Sequence, residues 1–132
     1  MSQCTWYAYE RARENDWLIR FDHPWGRHAK AWPVRVKNAR LVQIPAVGEI
    51  MVLDGRKGND YGHVAYVESV QDSNHWTISH ANMAAGVAAR TLSGVTIRVA
   101  GIERHGRLVT FDGRPGGFSL IGFLKPGPSE FS

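Results

Sequence analysis

His63-Val64-Ala65-Tyr66-Val67-Glu68-Ser69-Val70, then Gln71-Asp72-Ser73-Asn74, then His75-Trp76-Thr77-Ile78-Ser79-His80-Ala81 reads as strand, turn, strand. Both arms are rich in β-branched and aromatic residues, and four polar residues separate them. With the turn centred near Asp72-Ser73, residues whose numbers sum to about 145 face each other. His63 then stands opposite Asn82, and Ala65 opposite His80. Alternation puts Trp76, Ile78, His80 and Asn82 on one face of the second arm. Partners across an antiparallel pair share a face, so His63, His80 and Asn82 gather at one end of the hairpin. Glu68 falls on the opposite face, and a one-residue slip would move every one of these side chains across the sheet.

Outward from the hairpin, Glu49-Ile50-Met51-Val52-Leu53 reads as a buried strand ended by Asp54-Gly55, and 56–60 as a polar loop. Further strands are expected at 95–99, 107–111 and 118–123, with turns at 113–117 and at Pro126-Gly127-Pro128. Before the strands, helix formers and aromatics predict a helix from about residue 4 to 15, with Trp6 and Tyr9 on a common face. A turn at His23-Pro24-Trp25-Gly26 leads into a second short helix over 27–32, stopped by Pro33. The order, helices first and then a mostly antiparallel sheet, predicts an α+β fold with the helices packed on the sheet.

The length of 132 residues fits one domain, and 43% apolar with 21% charged residues is ordinary for a chain that buries one core. No apolar run approaches the roughly 20 residues needed to span a membrane, so no membrane insertion is expected. The N-terminus lacks a basic region followed by an apolar stretch, so no signal peptide is read. The net charge of +4 and a pI near 9.6 favour polyanionic surroundings, with the basic residues scattered rather than blocked. A nucleic-acid partner is set aside for want of a recognition-helix pattern or an aromatic RNA-binding motif. His23, His28, His75 and His105 have no metal-ligand spacing, and no acidic calcium loop is present. The glycines of 113–117 form no phosphate loop, so neither cofactor nor metal is expected. Trp6, Trp25, Trp32 and Trp76 are expected mainly in the core.

Cys4 is the single cysteine. It cannot form an internal disulfide, so it is either an ordinary buried thiol or a nucleophile whose histidine lies far away in sequence. The parts of a nucleophilic site are available. An imidazole such as His63 can generate the thiolate, and the predicted helix N-terminus adds partial positive charge beside Cys4. A third polar group must hold the imidazole in one orientation. The Cys4 backbone N–H and the Gln3 side chain are candidate oxyanion donors.

Gln3-Cys4-Thr5-Trp6-Tyr7 resembles the nucleophile motif of the CHAP family, the cysteine- and histidine-dependent amidohydrolases/peptidases. Trp25-Gly26 with Ala29 and Trp32, Pro45-Ala46-Val47-Gly48-Glu49-Ile50, Tyr61 through Glu68, Ile78-Ser79-His80-Ala81-Asn82 and the segment 118–123 resemble its later motifs, in order. The resemblance implies a papain-like α+β fold, with 1–132 a single CHAP-like catalytic domain. It implies a peptidoglycan hydrolase, an amidase or endopeptidase, working through a thioester. Cys4 is then the nucleophile, His63 the general base and Gln3 an oxyanion ligand. The third position commonly holds a glutamate two residues before an asparagine; here it is His80, with Asn82 kept. His80 is the first candidate to orient His63 and Asn82 the second. The family implies peptidoglycan as partner, no cofactor, a monomer, and action at the bacterial cell wall. A phage lysin, a secreted effector with an immunity or delivery protein, and a wall-remodelling domain all fit these expectations. A weakly active or inactive wall-binding module on the same fold is the alternative.

Overall fold

The structure is a computed structural model that describes residues 3–22, 28–56, 60–82, 90–103 and 106–127. Among them, α1 (Gln3–Glu14) is followed by a 3-10 turn at Ala29–Ala31 that runs into α2 (Trp32–Arg35). Seven strands follow: β1 (Ala39–Val42), β2 (Ile50–Leu53), β3 (His63–Asp72), β4 (His75–Asn82), β5 (Arg90–Glu103), β6 (Gly106–Phe111) and β7 (Arg114–Pro126). The expected turn at 23–26 lies outside the described residues. Pro33 does not stop a helix: it occupies the first turn of α2, where its missing N–H has no intrahelical partner to lose.

The hairpin register is the expected one where it matters, with Tyr66 opposite Ser79 and Val67 opposite Ile78. Bulges then shift it by one at Ser69 and again at Asp72. All strand pairs are antiparallel, and the order is β1-β7-β2-β3-β4-β5-β6, with β6 also pairing β7. That last pairing closes β7, β2, β3, β4, β5 and β6 into a six-stranded barrel, with β1 attached outside on β7. Leu120 makes the corner: it pairs with Arg107 on β6 and with Leu53 on β2. Bulges in five of the six barrel pairings supply the extra twist and curvature that closure needs.

This topology corrects the expected α+β, papain-like arrangement of N-terminal helices on an open sheet. Among the described residues strand dominates, the α-helices are two and short, and the sheet closes on itself. The expected strands at 95–99 and 118–123 are central parts of longer ones, and 107–111 is β6 without its first residue. Arg114-Pro115-Gly116-Gly117, read as a turn, opens β7. Pro115 lies opposite Thr110, next to the tight turn at Asp112-Gly113, where one missing donor is tolerated.

Period 2 sorts the strand residues into two cores. Met51, Leu53, Ala65, Val67, Trp76, Ile78, Ile97, Val109, Leu120 and Phe123 fill the barrel. Ile50, Val52, Val64, Tyr66 and Leu124 face outward and are covered by Ala8, Ala12, Trp17, Ile19 and Trp32 from the helices and their links. β2 is therefore buried on both faces, which is why it reads as a continuous apolar run. α1 meets the sheet through Thr5, Ala8 and Ala12 rather than through the expected aromatic face. Small residues let the helix axis approach the strands closely, and Trp6 is left 53% exposed. Trp32 and Trp76 are in the core as expected, and Trp25 lies outside the described residues. Among the described residues no helix is long and apolar enough to cross a membrane.

Candidate active site

β3 begins at a constrained point. Gly62 has φ +79, and a Cβ there would stand 2.4 Å from the Leu53 carbonyl oxygen and 2.9 Å from Lys30 Cβ. The Lys30 N–H donates to the Tyr61 carbonyl at 2.9 Å. The chain is thus pinned between the 3-10 turn and β2 just before His63, which pairs with Leu53. His63 shares the inward parity of Ala65 and Val67 and stands at the barrel end.

His63 Nε2 and His80 Nδ1 are 2.7 Å apart, with the rings nearly perpendicular at 84°. Both residues are buried, His80 to 3% exposure. Phe118 stacks on His63 at 6.1 Å, and Phe111 meets His63 at 6.3 Å and His80 at 5.8 Å. Burial in this aromatic box is the main cause that pushes His63 well below its ordinary 6.5; the neighbouring His80 and the Arg56 cation push the same way. Burial also lowers His80, and the Asp112 carboxylate opposes that only in part. Both imidazoles are neutral at pH 7. One proton therefore lies in the bond between them. With that proton on His63 Nε2, the lone pair of His63 sits on Nδ1, the form a general base requires. Among the described residues Nδ1 has no hydrogen-bond partner.

Cys4 lies in the first turn of α1, half-buried against the outer core. The helix is fixed lengthwise by Arg11. Its Nε and Nη2 donate to the two Glu68 carboxylate oxygens at 2.8 and 2.9 Å, and its guanidinium lies 5.2 Å from the Tyr66 ring centre. Glu68 also accepts from the Ser79 hydroxyl, and the Arg11 hydrogen bonds hold its carboxyl below the usual range. Glu14 shares a groove with Glu68 and Thr77, towards the β3–β4 turn. The N-terminal end of α1 therefore points to the other end of the hairpin. Seven residues back from Arg11 is about 10 Å of helix, or about three residues of strand. That sets Cys4 about level with Ala65, two residues into β3. The contacts of His63 are His80, Phe111, Phe118 and the nearby Arg56 charge. Cys4 packs against the outer core, while the His63 ring stacks on Phe118 at the barrel end.

The structure thus joins His63 to His80 and packs Cys4, in the first turn of α1, against the outer core. Glu68 faces α1, away from the histidines, as alternation required. Gln3 opens α1 and Asn82 ends β4 opposite Arg90; the side chains of both lie outside the described residues, as do His23 and His105. His28 is exposed, its ring 4.6 Å from Tyr61. Sequence reasoning missed Phe111, Phe118, Arg56 and the Arg11–Glu68 clamp. The first three come together only when β6 and β7 close the barrel; an arginine and a glutamate 57 positions apart leave no local signal at all.

A model of the CHAP domain matches residues 1–82, which run from α1 through β4. A protein of Staphylococcus aureus described as N-acetylmuramoyl-L-alanine amidase domain-containing is 33% identical over 87 residues. The match covers 61% of this chain and 13% of that protein, so the chain corresponds to a small part of its relative.

Proposed function

The chain belongs to the CHAP family of peptidoglycan hydrolases, and on that premise we propose that it cleaves an amide bond of peptidoglycan with Cys4 as nucleophile. In this reading His63 Nδ1 takes the Sγ proton, and the thiolate adds to the scissile carbonyl carbon. The resulting oxyanion is held by the Cys4 backbone N–H and Gln3. The tetrahedral adduct collapses, the C–N bond breaks, and the His63 imidazolium gives its proton to the departing amine. Water, losing its proton to His63, then attacks the thioester; a carboxylate leaves and the thiol is restored. His80 is a positioning residue that holds the His63 Nε2–H, with Asn82 as second candidate.

One observation carries the proposal: the 2.7 Å bond between His63 Nε2 and His80 Nδ1, which leaves Nδ1 of a neutral imidazole available as a base. A neutral histidine supports an imidazolium less than a carboxylate does, but it fixes the tautomer in the same way. The relative's description favours the amide between sugar and stem peptide; a peptide bond in the stem or bridge suits the same chemistry. The basic surface would hold the chain on an anionic wall. A lysin or effector role is compatible with this chemistry. The second reading is a wall-binding module on the same fold, favoured by the neutral His80 standing where a carboxylate commonly supports the base.

Zymography on purified sacculi separates the two. Wild type should clear the gel, while Cys4→Ala and His63→Ala should not. Equal clearing by Cys4→Ala and wild type would end the nucleophile assignment, and sacculus binding without clearing by wild type would select the binding module. Mass spectrometry of the released fragments names the bond.

A further inference from the structure

α1 lies across β3 and β4, and between the helix and β5 runs an open groove of about 430 Å³, the size of a small-ligand site. Tyr7, Arg11 and Glu14 form its helix side. Steps of four and three residues stack them in one stripe, and Cys4, three residues before Tyr7, belongs to the same stripe. The groove therefore starts one helical turn, about 5 Å, from Cys4 and runs on for about two turns. A distortion of the sheet shapes the other side. Ser93 and Gly94 together oppose Ser79, a bulge in β5 with Gly94 at φ +71. A Cβ on Gly94 would meet nothing within 4 Å, so the space above the bulge is open. Among the described residues the hydroxyls of Tyr7 and Ser93 have no hydrogen-bond partner, and Glu14 pairs with Arg11 Nη1 only at 3.7 Å. Arg11 Nε and Nη2 are tied to Glu68, which holds Nη1 as a fixed donor at the groove wall.

We propose that this groove is a saccharide subsite, which holds the glycan side of the substrate while the amide lies at Cys4. This rests on the peptidoglycan reading above. The lining offers hydroxyls, a carboxylate and a guanidinium donor, and no aliphatic side chain. That mixture of donors and acceptors matches a neutral polyhydroxyl ligand, whose groups both donate and accept. Charge points the same way. Glu68 balances Arg11, so Glu14 leaves the groove with one net negative charge, which disfavours the carboxylates of a stem peptide. The Arg11 clamp and the β5 bulge form the groove before any ligand arrives, so little ordering entropy is lost on binding.

The test titrates the protein with two probes, a tetrasaccharide of N-acetylglucosamine and a stem pentapeptide without sugar, each followed by two-dimensional amide NMR. The saccharide should shift Tyr7, Thr77, Ser93 and Gly94 saturably, and the peptide should leave them unmoved. Glu14→Ala should weaken saccharide binding about tenfold, the scale of one hydrogen bond to a charged group. Ser93→Arg, which fills the groove from the bulge, should abolish it. Both positions are exposed and lie on different elements, so a folding defect in one variant leaves the other to decide. The second arm compares kcat/KM for one stem carried on a single muramoyl sugar and on a tetrasaccharide. Wild type should favour the longer glycan by about tenfold, and Ser93→Arg should bring the ratio close to one. If wild type cleaves neither compound, the hydrolase reading falls, and saccharide binding that Ser93→Arg removes still supports the subsite. No saturable shift with the saccharide, shifts confined to other residues, occupation of the groove by the peptide instead, or saccharide binding unchanged by both variants overturns it.

Discussion

Replacing His80 by alanine removes a partner from a buried hydrogen bond and a ring from a packed box. His63 Nε2 loses its acceptor at 2.7 Å and is left facing Phe111 and Phe118. A stranded buried polar group costs about 1–3 kcal/mol. Truncation of a buried side chain adds about 2 kcal/mol at the lower end of its range. The sum is about 3–5 kcal/mol, which lowers the melting temperature of a domain this size by roughly 10–20 °C. Activity per folded molecule should fall further, by about 100-fold, because the imidazole is free to rotate and to carry its proton on Nδ1. His80→Gln supplies a neutral acceptor and should recover most of the stability. Thermal denaturation followed by circular dichroism reads the first number, and the initial rate of sacculus clearing at a temperature where both proteins are folded reads the second. The pH dependence separates a positioning role from a structural one. Wild-type stability should be full above 6.5, the unfolded histidine value, and fall as the pH drops below it. There the unfolded chain binds protons that the two neutral, buried imidazoles refuse. With one such group removed, the fall between pH 7 and 5 should be shallower in His80→Ala. A variant with unchanged melting temperature and a rate within twofold of wild type would refute the coupling of the two histidines.

Gly62→Ala forces a Cβ to within 2.4 Å of the Leu53 carbonyl oxygen at a φ that L side chains rarely adopt. It should destabilise by about 2 kcal/mol or more in a urea titration and displace His63, reducing clearing beyond the loss of fold. Trp76→Ala, deep in the barrel with its Nε1–H on Met51 Sδ at 3.3 Å, should cost about 3–5 kcal/mol. Glu68→Gln breaks the clamp that fixes α1 along β3. It should cost about 1 kcal/mol at low salt, less at high salt, and lower activity through the position of Cys4 while leaving the His63–His80 bond intact.

The local elements were legible where period 2 and turn chemistry acted alone. The alternating pattern puts His63 on the face of His80 and Glu68 on the other face; the turn itself lies one residue later than expected, between Asp72 and His75, and two bulges bring the register back to the expected one at Tyr66. α1 was legible as a helix, but its buried face was not. Trp6 and Tyr9 look like core residues by hydropathy, yet alanines at 8 and 12 allow the closest approach to the strands. β7 was read as a turn followed by a short strand because Pro115, Gly116 and Gly117 carry the strongest local turn signals. Those residues are strand because β6 lies alongside to pair with them.

Residue order alone determined that Cys4, His63, His80 and Asn82 occur in a CHAP-like series, and that the two histidines share one end of a hairpin. These depend on contacts between neighbours in the chain, which a period of two or of 3.6 encodes directly. Tertiary structure decided that the sheet closes, that Phe111, Phe118 and Arg56 box in the histidines, and that Arg11 and Glu68 set the helix carrying Cys4. Closure depends on one pairing, β6 with β7, whose free energy comes from burying the faces of all six strands at once. No segment of the chain carries that term by itself.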